Sequence, residues 1–275
     1  MKCSIILLHV SLDWWSNTQH AHNAIESIIK NPPACDFEII LVDNGSTQLA
    51  DIDGLEERWK EHVQFVRLSK NLGYGQGNHQ GIQKAKGEYV CVMNPDAKML
   101  PNAIDILASY LDNHPEAGMV GPKISNPNGT IQDTYRSFMG PFDWLLKRLR
   151  FLHKIPAIKK RMAEHLMWNI NPTSPTEVDW LYGSFILMRK SMYDMSGGYD
   201  PRYFLFAEDM DLCRSFWTRG FRVVFVPEAQ AIHGSKRLSG GSFFRALFKK
   251  LSWIHLTSLI KYFLKWGFKV PKFHD

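Results

Sequence analysis

Two carboxylates in this chain stand directly beyond runs of apolar residues. Asp43 follows "IILV", and Asp96 follows "YVCVM" after the pair Asn94-Pro95. Proline cannot donate to a sheet ladder, so the second strand should end there. A carboxylate in such a place either shapes a turn or holds a ligand. Taken alone, Asp43 is better explained as a turn residue, whereas Asp96 fits either role.

A denser group of acids, Glu208, Asp209 and Asp211, opens a predicted helix. Capping and the helix dipole account for one or two acids there, but three acids in four residues exceed that need. A cluster of like charges raises the pKa of a carboxyl group, which suits a general base. His233 follows a later strand. A single histidine is more often structural, so it gains meaning only in combination with Asp96.

The segment "NLGYGQGNHQG" is dense in glycine, at Gly73, Gly75, Gly77 and Gly81. Its spacing resembles a dinucleotide-binding fingerprint, but it departs from the strict pattern and lacks the acid expected downstream. Glycines allow a backbone to approach a ligand closely. The alternative is a tight loop followed by a closely packed helix, and the sequence leaves both open.

The elements that must position these residues alternate between strand and helix. Predicted strands cover "SIILLHV", "FEIILVD", "VQFVRLS", "EYVCVM" and "AGMVGPKI". Helical periodicity covers "NTQHAHNAIESIIKN", "ADIDGLEERWKE", "PNAIDILASYLDNHP" and the segment after the glycines. This alternation predicts an α/β fold with a parallel, doubly wound sheet, in which ligands bind beyond the carboxyl ends of the strands. Asp43 and Asp96 would meet at that edge.

The second half of the chain is less regular. Residues 126–178 are predicted to be an insertion or a flexible loop region. A strand is then expected over "VDWLYGSFILMRK", interrupted at Gly183, and a helix over about 208–219 that Gly220 ends. Two further strands are expected in "FRVVFVP" and "AQAIHG".

Composition narrows the partners and the compartment. The 275 residues carry a net charge of +6, and the excess is concentrated in 147–161 and after Gly234. Both stretches interleave bases with Phe, Leu and Trp, which favours contact with an anionic membrane surface over nucleic acid. A helix packed on the domain and an oligomer contact are the alternatives for the second stretch. No run is long enough to span a bilayer. Four cysteines without a CxxC pair argue against a zinc site or disulfides and fit a reducing cytoplasm.

The order of six blocks, "VDNGS", "NLGYGQGNHQGI", "MNPDA", "VDWLYGSFILMRK", "GGYDPRYFLFAEDMDLC" and "FVPEAQAIH", resembles the inverting family 2 glycosyltransferases. Within that family the chain is most similar to bacterial rhamnosyltransferases of O-antigen and cell-wall polysaccharide synthesis. The resemblance covers nearly the whole chain. It implies a GT-A fold, Rossmann-like, with a mixed, mostly parallel sheet flanked by helices and a helical, basic C-terminal extension.

The resemblance also implies a division of the chain. The catalytic domain would cover 1–233, with a nucleotide-binding part over about 1–125 and an acceptor-binding part over about 126–233. A basic amphipathic helical segment would follow over 234–275.

Donor and metal contacts follow from the same resemblance. Donor contacts are implied for Asp43, which would meet the nucleotide base, and for Asn71, Gly73, Asn78, Asn94 and Asp96. Asp96 stands at the second aspartate of the family's DxD metal motif, with Asn94 in place of the first. His233 matches a histidine that can complete the metal site, and the metal would be Mg²⁺ or Mn²⁺.

Catalytic and acceptor roles are implied for a second set of residues. Asp209 matches the base that deprotonates the acceptor hydroxyl, and Glu208 precedes it as a second catalytic acid. Trp180, Gly183 and Asp211 would lie on the acceptor side. A protein that only binds has no need for this acid cluster opposite Asp96.

The implied activity is transfer of a sugar from a nucleoside diphosphate to a saccharide acceptor, with inversion. The first expectation is L-rhamnose from dTDP-rhamnose and a lipid-linked acceptor, handled in the cytoplasm at the inner face of the cell membrane. A UDP- or GDP-sugar donor, or a non-catalytic protein that binds a nucleotide sugar, are the alternatives. A nucleic-acid partner is not expected, and the oligomeric state is left open.

Overall fold

The computed structural model describes residues 2–13, 15–167, 170, 172–234, 250–271 and 273. Its strands are β1 Cys3–His9, β2 Ser11–Leu12, β3 Trp15–Ser16, β4 Phe37–Asp43, β5 Val63–Arg67, β6 Tyr89–Met93, β7 Ala97–Met99, β8 Ala117–Ser125, β9 Tyr135–Arg136, β10 Thr176–Glu177, β11 Trp180–Leu181, β12 Phe185–Arg189 and β13 Arg222–His233. Its helices are α1 Thr18–Lys30, α2 Leu49–Trp59, α3 Tyr74–Lys84, α4 Ala103–Asn113, α5 Asp143–Arg148, α6 Pro156–His165, α7 Lys190–Ser196, α8 Glu208–Trp217 and α9 Lys250–Trp266, with a 3₁₀ helix at Arg150–Lys154.

The main sheet has the order β10-β13-β8-β12-β6-β1-β4-β5, and β7 pairs with β13 at one end. Strands β6, β1, β4 and β5 run parallel to one another, and β8 runs parallel to β13. Strand β12 lies antiparallel between β6 and β8. The predicted mixed, mostly parallel sheet is therefore confirmed.

The apolar runs of the central strands are continuous because helices cover both faces of the sheet. Along β1, Cys3, Ile5 and Leu7 enter a core under α1, α2 and α4. Ile6 and Leu8 enter a second core under α3, α7, α8 and α9. Successive side chains of β1 therefore enter opposite faces of the sheet.

Three predictions about the second half need correction. The insertion at 126–178 is not simply a loop, because it carries β9, α5, the 3₁₀ helix, α6 and β10. The two strands predicted after Gly220 form one strand, β13, whose register shifts between Val226 and Gln230. Pro227, which cannot donate to the ladder, lies in this irregular stretch. The strand predicted around Gly183 is divided between two sheets, since β11 pairs with β9 and β12 joins the main sheet.

The C-terminal basic stretch forms α9, which packs against the second core through the buried Leu259 and Tyr262. Packing on the domain, one of the alternatives raised by the sequence, is thus what this helix does. Residues 235–249 of the stretch lie outside the described residues. Within the described ranges, we find no helix with the length and apolar character needed to cross a bilayer.

Candidate active site

The carboxyl ends of β4 and β6 flank that of β1, so Asp43, the last residue of β4, and Asn94, the first residue after β6, lie at the same sheet edge. Asp43 is buried and accepts hydrogen bonds from the backbone N–H of Ser46, at 3.2 Å, and from its hydroxyl. Gly45 completes this turn with φ of +72°. The turn role of Asp43 is therefore evident, and its contact with a nucleotide base stays a prediction.

Asn44, which the sequence did not single out, ties this turn to the glycine-rich segment. Its Nδ2 donates to Asn71 Oδ1 and to the Gly73 carbonyl, both at 3.1 Å, while its Oδ1 accepts from the Leu72 N–H at 2.9 Å. Its side chain is almost wholly buried. Asn44 therefore fixes Asn71 and Gly73 beside the strand edge.

The glycines of this segment serve packing within the protein. Gly73 has φ of +85°, and a Cβ there would lie 2.1 Å from the Phe204 carbonyl oxygen. Gly77 and Gly81 bring α3 against β1 and β4, where a Cβ would meet side chains at 2.6 Å. Asn78 is buried and donates to the Tyr74 carbonyl at 3.0 Å. The contacts of Gly73 and Asn78 with a nucleotide-sugar donor stay predictions. The glycines are explained by the close packing of the loop and of α3 against the rest of the protein.

Asp96 and His233 meet because β7 pairs with the end of β13. Asp96 Oδ1 lies 3.0 Å from His233 Nε2. Gln132, missed in the sequence, orients the imidazole: its Oε1 lies 3.2 Å from His233 Nδ1. The amide orientation follows from its Nε2, which donates to the His233 carbonyl at 3.0 Å and to Asn126 Oδ1 at 2.8 Å.

This arrangement fits a divalent cation. Because Gln132 Oε1 can only accept, it takes a hydrogen bond from His233 Nδ1, and the other ring nitrogen, Nε2, faces Asp96 Oδ1 at 3.0 Å and Asn94 Nδ2 at 3.4 Å. A proton on Nε2 would form an ion pair with Asp96, and a divalent cation can take the place of that proton between the same nitrogen and carboxylate. No cluster of three or more His, Cys, Asp or Glu side chains suited to a metal occurs in the described parts of the chain. The remaining ligands would be phosphate and water oxygens.

Tyr74 connects this pair to the acid cluster. Its hydroxyl lies 2.7 Å from Asn94 Oδ1 and 2.6 Å from the Gly183 carbonyl oxygen. Burial, followed by the negative charges of Glu208, Asp209 and Asp96, raises the pKa of Tyr74 well above its ordinary value. The hydroxyl therefore stays protonated. The sequence offered Tyr74 only as a residue between glycines, so its role appears only in the folded chain.

Asp209 and Glu208 open α8 on the other side of Tyr74. Asp209 accepts hydrogen bonds from the backbone N–H of Gly183 at 3.2 Å and of Met210 at 2.8 Å. Burial raises the pKa of Asp209, while the N–H groups of Gly183 and Met210 oppose that rise. Burial and the charge of Asp209 raise the pKa of Glu208 to about 8. Glu208 therefore favours its neutral form at neutral pH, and of the two acids Asp209 is the one whose ionised form receives hydrogen bonds from backbone N–H groups.

Trp180 and Gly183, predicted on the acceptor side, both adjoin Asp209. The indole of Trp180 is close enough to the Asp209 carboxylate to oppose the rise in its pKa. Its ring packs against Tyr182 with centroids 5.0 Å apart. The backbone of Gly183 contacts both Tyr74, whose hydroxyl donates to its carbonyl, and Asp209, which accepts from its N–H. Both residues therefore adjoin Asp209, and their contact with an acceptor stays a prediction.

Asp211 faces away from this group. Its carboxylate, 1% exposed, accepts from Lys265 Nζ at 2.7 Å, Trp266 Nε1 at 2.6 Å and the Tyr203 hydroxyl at 3.1 Å. These contacts join α8 to α9. The acceptor-side role predicted for Asp211 stays a prediction, and its contacts favour a structural role.

Stability should fall as pH rises toward 8, because Glu208 is buried in its neutral form. Its pKa is about 8 in the folded chain against an ordinary 4.5, so between these values the unfolded chain releases a proton that the folded chain keeps. The contribution is complete below pH 4.5 and is lost as pH rises through 8, with a slope of at most about 1.4 kcal/mol per pH unit.

Urea unfolding at pH 5.5 and 7.5 measures this effect. Glu208→Gln should reduce the difference in unfolding free energy between the two pH values. The control Glu57→Gln, at a side chain 79% exposed, should keep it. An unchanged difference in Glu208→Gln would contradict the burial of a neutral acid.

Comparison with known proteins places the chain in a family. The profile described as "Glycosyl transferase family 2" matches residues 19–178. An N-acetylglucosaminyl-diphospho-decaprenol L-rhamnosyltransferase of Mycobacterium tuberculosis is 31% identical over 227 residues, which cover 74% of this chain and 68% of that protein. The rhamnosyltransferase WbbL of Escherichia coli K12 is 26% identical over 88% of this chain and 89% of its own length.

A solved structure shares the fold. The crystal structure of GalNAc-T7 with UDP, GalNAc and Mn²⁺ superposes with a TM-score of 0.65 at 18% identity, over 86% of this chain. This chain spans 44% of the length of that one, and the likeness shows the fold alone. The profile match and the Mycobacterium relative, together with the arrangement around Tyr74, lead to one conclusion: the chain belongs to glycosyl transferase family 2 and is a glycosyltransferase with the GT-A fold.

Proposed function

We propose that the chain transfers L-rhamnose from dTDP-rhamnose to a lipid-linked saccharide, with inversion at the anomeric carbon. The names of the two relatives support the sugar, and the name of the Mycobacterium protein supports a lipid diphosphate acceptor. The single observation that carries transfer is the Tyr74 bridge. The Tyr74 hydroxyl contacts Asn94, whose Nδ2 lies 3.4 Å from His233 Nε2 in the Asp96–His233 pair, and it also contacts the carbonyl of Gly183, whose N–H donates to Asp209.

The Asp96–His233 side and the Asp209 side of the site would have different functions. Asp96 and His233 would hold a divalent cation, Mg²⁺ or Mn²⁺. Such a cation, when bound, supplies positive charge for the departing diphosphate. Gln132 keeps His233 in the tautomer that presents Nε2. Tyr74 holds Asn94 toward the same place.

Asp209 acts as the general base. Its carboxylate accepts the acceptor's hydroxyl proton while the oxygen forms a bond to the anomeric carbon. The bond from that carbon to the diphosphate oxygen breaks on the opposite face, which inverts the centre. Glu208, neutral near pH 7, limits the negative charge beside Asp209 and leaves it free to take the proton. No covalent bond to the protein is needed.

Thermal-shift measurements with nucleotide sugars test the donor. At a concentration 100 times its Kd, dTDP-rhamnose with Mg²⁺ or Mn²⁺ should add about 2.7 kcal/mol of stability, or roughly 5–10 °C in Tm. The control is the same donor with a chelator present. Greater stabilisation by a UDP- or GDP-sugar would overturn the dTDP-rhamnose assignment while leaving sugar transfer intact.

We further propose peripheral contact with an anionic membrane. The two basic, apolar stretches converge at Gly140, where Arg161 and Val270 both lie within 3.4 Å of the position a Cβ would take. Large apolar side chains on these stretches, or just before the first of them, are exposed: Phe142, Phe151, Ile155, Trp253, Leu264 and Phe268. Apolar groups interspersed with bases match an anionic bilayer, where a lipid-linked acceptor would be presented.

Vesicle flotation tests this surface. The protein should float with vesicles containing 30% phosphatidylglycerol at low salt and less with neutral vesicles. Phe142→Ser with Phe151→Ser should reduce flotation. Leu49→Ser, on α2 over the other face of the sheet and 58% exposed, should not. Equal flotation of all three proteins, or none by the wild type, would contradict membrane contact.

A further inference from the structure

Helix α9 lies along the segment that leads into the catalytic acids. We call residues 200–207 the approach segment, because α8 begins with Glu208 immediately after it. The contacts pair the two in opposite order along the chain: His255 stacks on Phe206 with ring centroids 4.5 Å apart, Ser258 Oγ donates to the Leu205 carbonyl at 2.8 Å, Lys261 Nζ to the Arg202 carbonyl at 2.8 Å, and Lys265 Nζ to Asp200 Oδ2 at 2.8 Å.

The four α9 residues are spaced by three, three and four, which places them on one face of the helix. Helix α9 therefore runs antiparallel to the approach segment, and this face contacts the segment at four successive positions. Two of the contacts, from Ser258 and Lys261, go to backbone carbonyls. These two contacts hold the backbone of the segment in place and do not depend on which side chains the segment carries.

The approach segment needs such support because its last two residues are strained. Phe206 has φ of 70° and Ala207 has φ of 65°, a conformation in which a Cβ approaches the following carbonyl. Conformations of this kind persist only where the surroundings determine them. On the other side of the segment, the Tyr74 N–H donates to the Phe204 carbonyl at 2.8 Å. The segment is thus held at Phe204 by α3 and at Leu205 and Phe206 by α9, directly before the acids.

Lys265 also reaches beyond the segment. The same ammonium lies 2.7 Å from Asp211 Oδ2, so it bridges the beginning of the approach segment to the first turn of α8. Asp211 is 1% exposed, whereas the Lys265 side chain is 22% exposed. A buried carboxylate that loses its cation is strongly disfavoured, so this bridge holds both ends of the segment around Asp209.

We propose that Ser258 and Lys265 of α9 are positioning residues for Asp209. They hold the approach segment in its strained path, so that α8 begins with Asp209 against Gly183 and across Tyr74 from Asp96. Neither residue touches the substrates. This inference rests on the proposed function, and it gives the C-terminal helix a part in turnover that is separate from membrane contact.

Lys265→Met tests the proposal against a matched control, Lys269→Met. The Lys269 side chain is exposed, and only its backbone carbonyl contacts α8. Transfer from dTDP-rhamnose to an N-acetylglucosaminyl-diphospho-lipid in detergent should show kcat lowered roughly 10- to 100-fold in Lys265→Met, with the donor KM unchanged. Lys265→Arg keeps both ion pairs and should restore most of the turnover, and Lys269→Met should match the wild type.

Hydrogen exchange supplies a readout that does not depend on activity. Lys265→Met should speed amide exchange in peptides covering 203–211 and leave β1 and β4 unchanged. Ser258→Ala, which removes one backbone contact, should do the same to a smaller extent. It replaces Lys265→Met if that variant fails to fold.

Two outcomes would overturn the proposal. One is Lys265→Met turnover equal to that of Lys269→Met. The other is exchange that rises throughout the chain while kcat and KM change together, as general destabilisation would produce. Absence of transfer by the wild type would instead overturn the proposed function, and the exchange experiment would still decide whether α9 holds the segment.

Discussion

Replacing Asp209 with asparagine should stop sugar transfer while leaving donor binding intact. The amide keeps the shape of the carboxylate and can still accept from the Gly183 N–H, which lies 3.2 Å away in the native site. It cannot take the acceptor proton. A general base contributes about 10²–10⁴-fold to rate, so kcat should fall by that factor. Steady-state transfer and binding of dTDP with Mn²⁺ measure the two quantities separately.

Glu208→Gln is the matched comparison, because Glu208 is the neighbouring acid and is already neutral near pH 7. It should retain far more activity than Asp209→Asn when both are assayed at pH 7. Equal loss in the two variants would show that the acids act as one unit. Unchanged turnover in Asp209→Asn would remove the assigned base.

Replacing Asp96 with asparagine should have the second large effect. It removes the only carboxylate placed against His233 Nε2 among the described residues. Neutralising charge on the departing diphosphate is worth several kcal/mol, so kcat should fall by about 10²–10³-fold. Calorimetric titration of Mn²⁺ in the presence of dTDP gives a readout besides turnover, and affinity for the metal should fall sharply.

Two further variants serve as comparisons for the effect of Asp96→Asn. Gln132→Ala leaves both ligands in place but frees the imidazole, so affinity for Mn²⁺ should fall about 10- to 100-fold. Asp53→Asn changes an exposed carboxylate paired with Arg67 and should alter neither turnover nor metal affinity. Native affinity for Mn²⁺ and dTDP in Asp96→Asn would contradict the metal assignment.

The frame of the fold could be predicted from the sequence, because its strands are buried on both faces and end in recognisable turns. The run before Asp96 and the run before Asp43 both became strands of the main sheet, with β1 between them. Periodicity did not reveal that β12 is antiparallel, since a buried strand has the same pattern in either direction. The sequence also did not predict that β13 continues across Pro227, because proline usually ends a strand.

The site residues could be proposed only with the help of the family resemblance. Taken alone, Asp96 fitted a turn as well as a ligand and His233 a structural role, and the order of the motifs along the chain is what selected these two residues and Asp209. Tyr74 and Gln132 could not be proposed, because their roles depend on partners far away in the chain, at Gly183 and His233. Asn44 stood beside Asp43 and could have been considered as an amide at the end of a buried strand.

Asp211 shows the opposite case. Its position in the acid cluster suggested the acceptor side, yet its carboxylate binds Lys265 and Trp266 of a helix that begins about 40 residues later. Sequence spacing alone cannot separate acids that face a substrate from acids that face another helix, because a step of one or two residues turns a side chain by about 100–200°.

The most direct measurement is the transfer reaction itself, with the anomeric configuration of the product read by NMR. The wild-type enzyme, given dTDP-rhamnose, Mn²⁺ and an N-acetylglucosaminyl-diphospho-lipid, should form a rhamnoside whose configuration is opposite to that of the donor. Asp209→Asn should form almost none. A product with retained configuration, or full activity in Asp209→Asn, would contradict a single displacement in which Asp209 takes the proton.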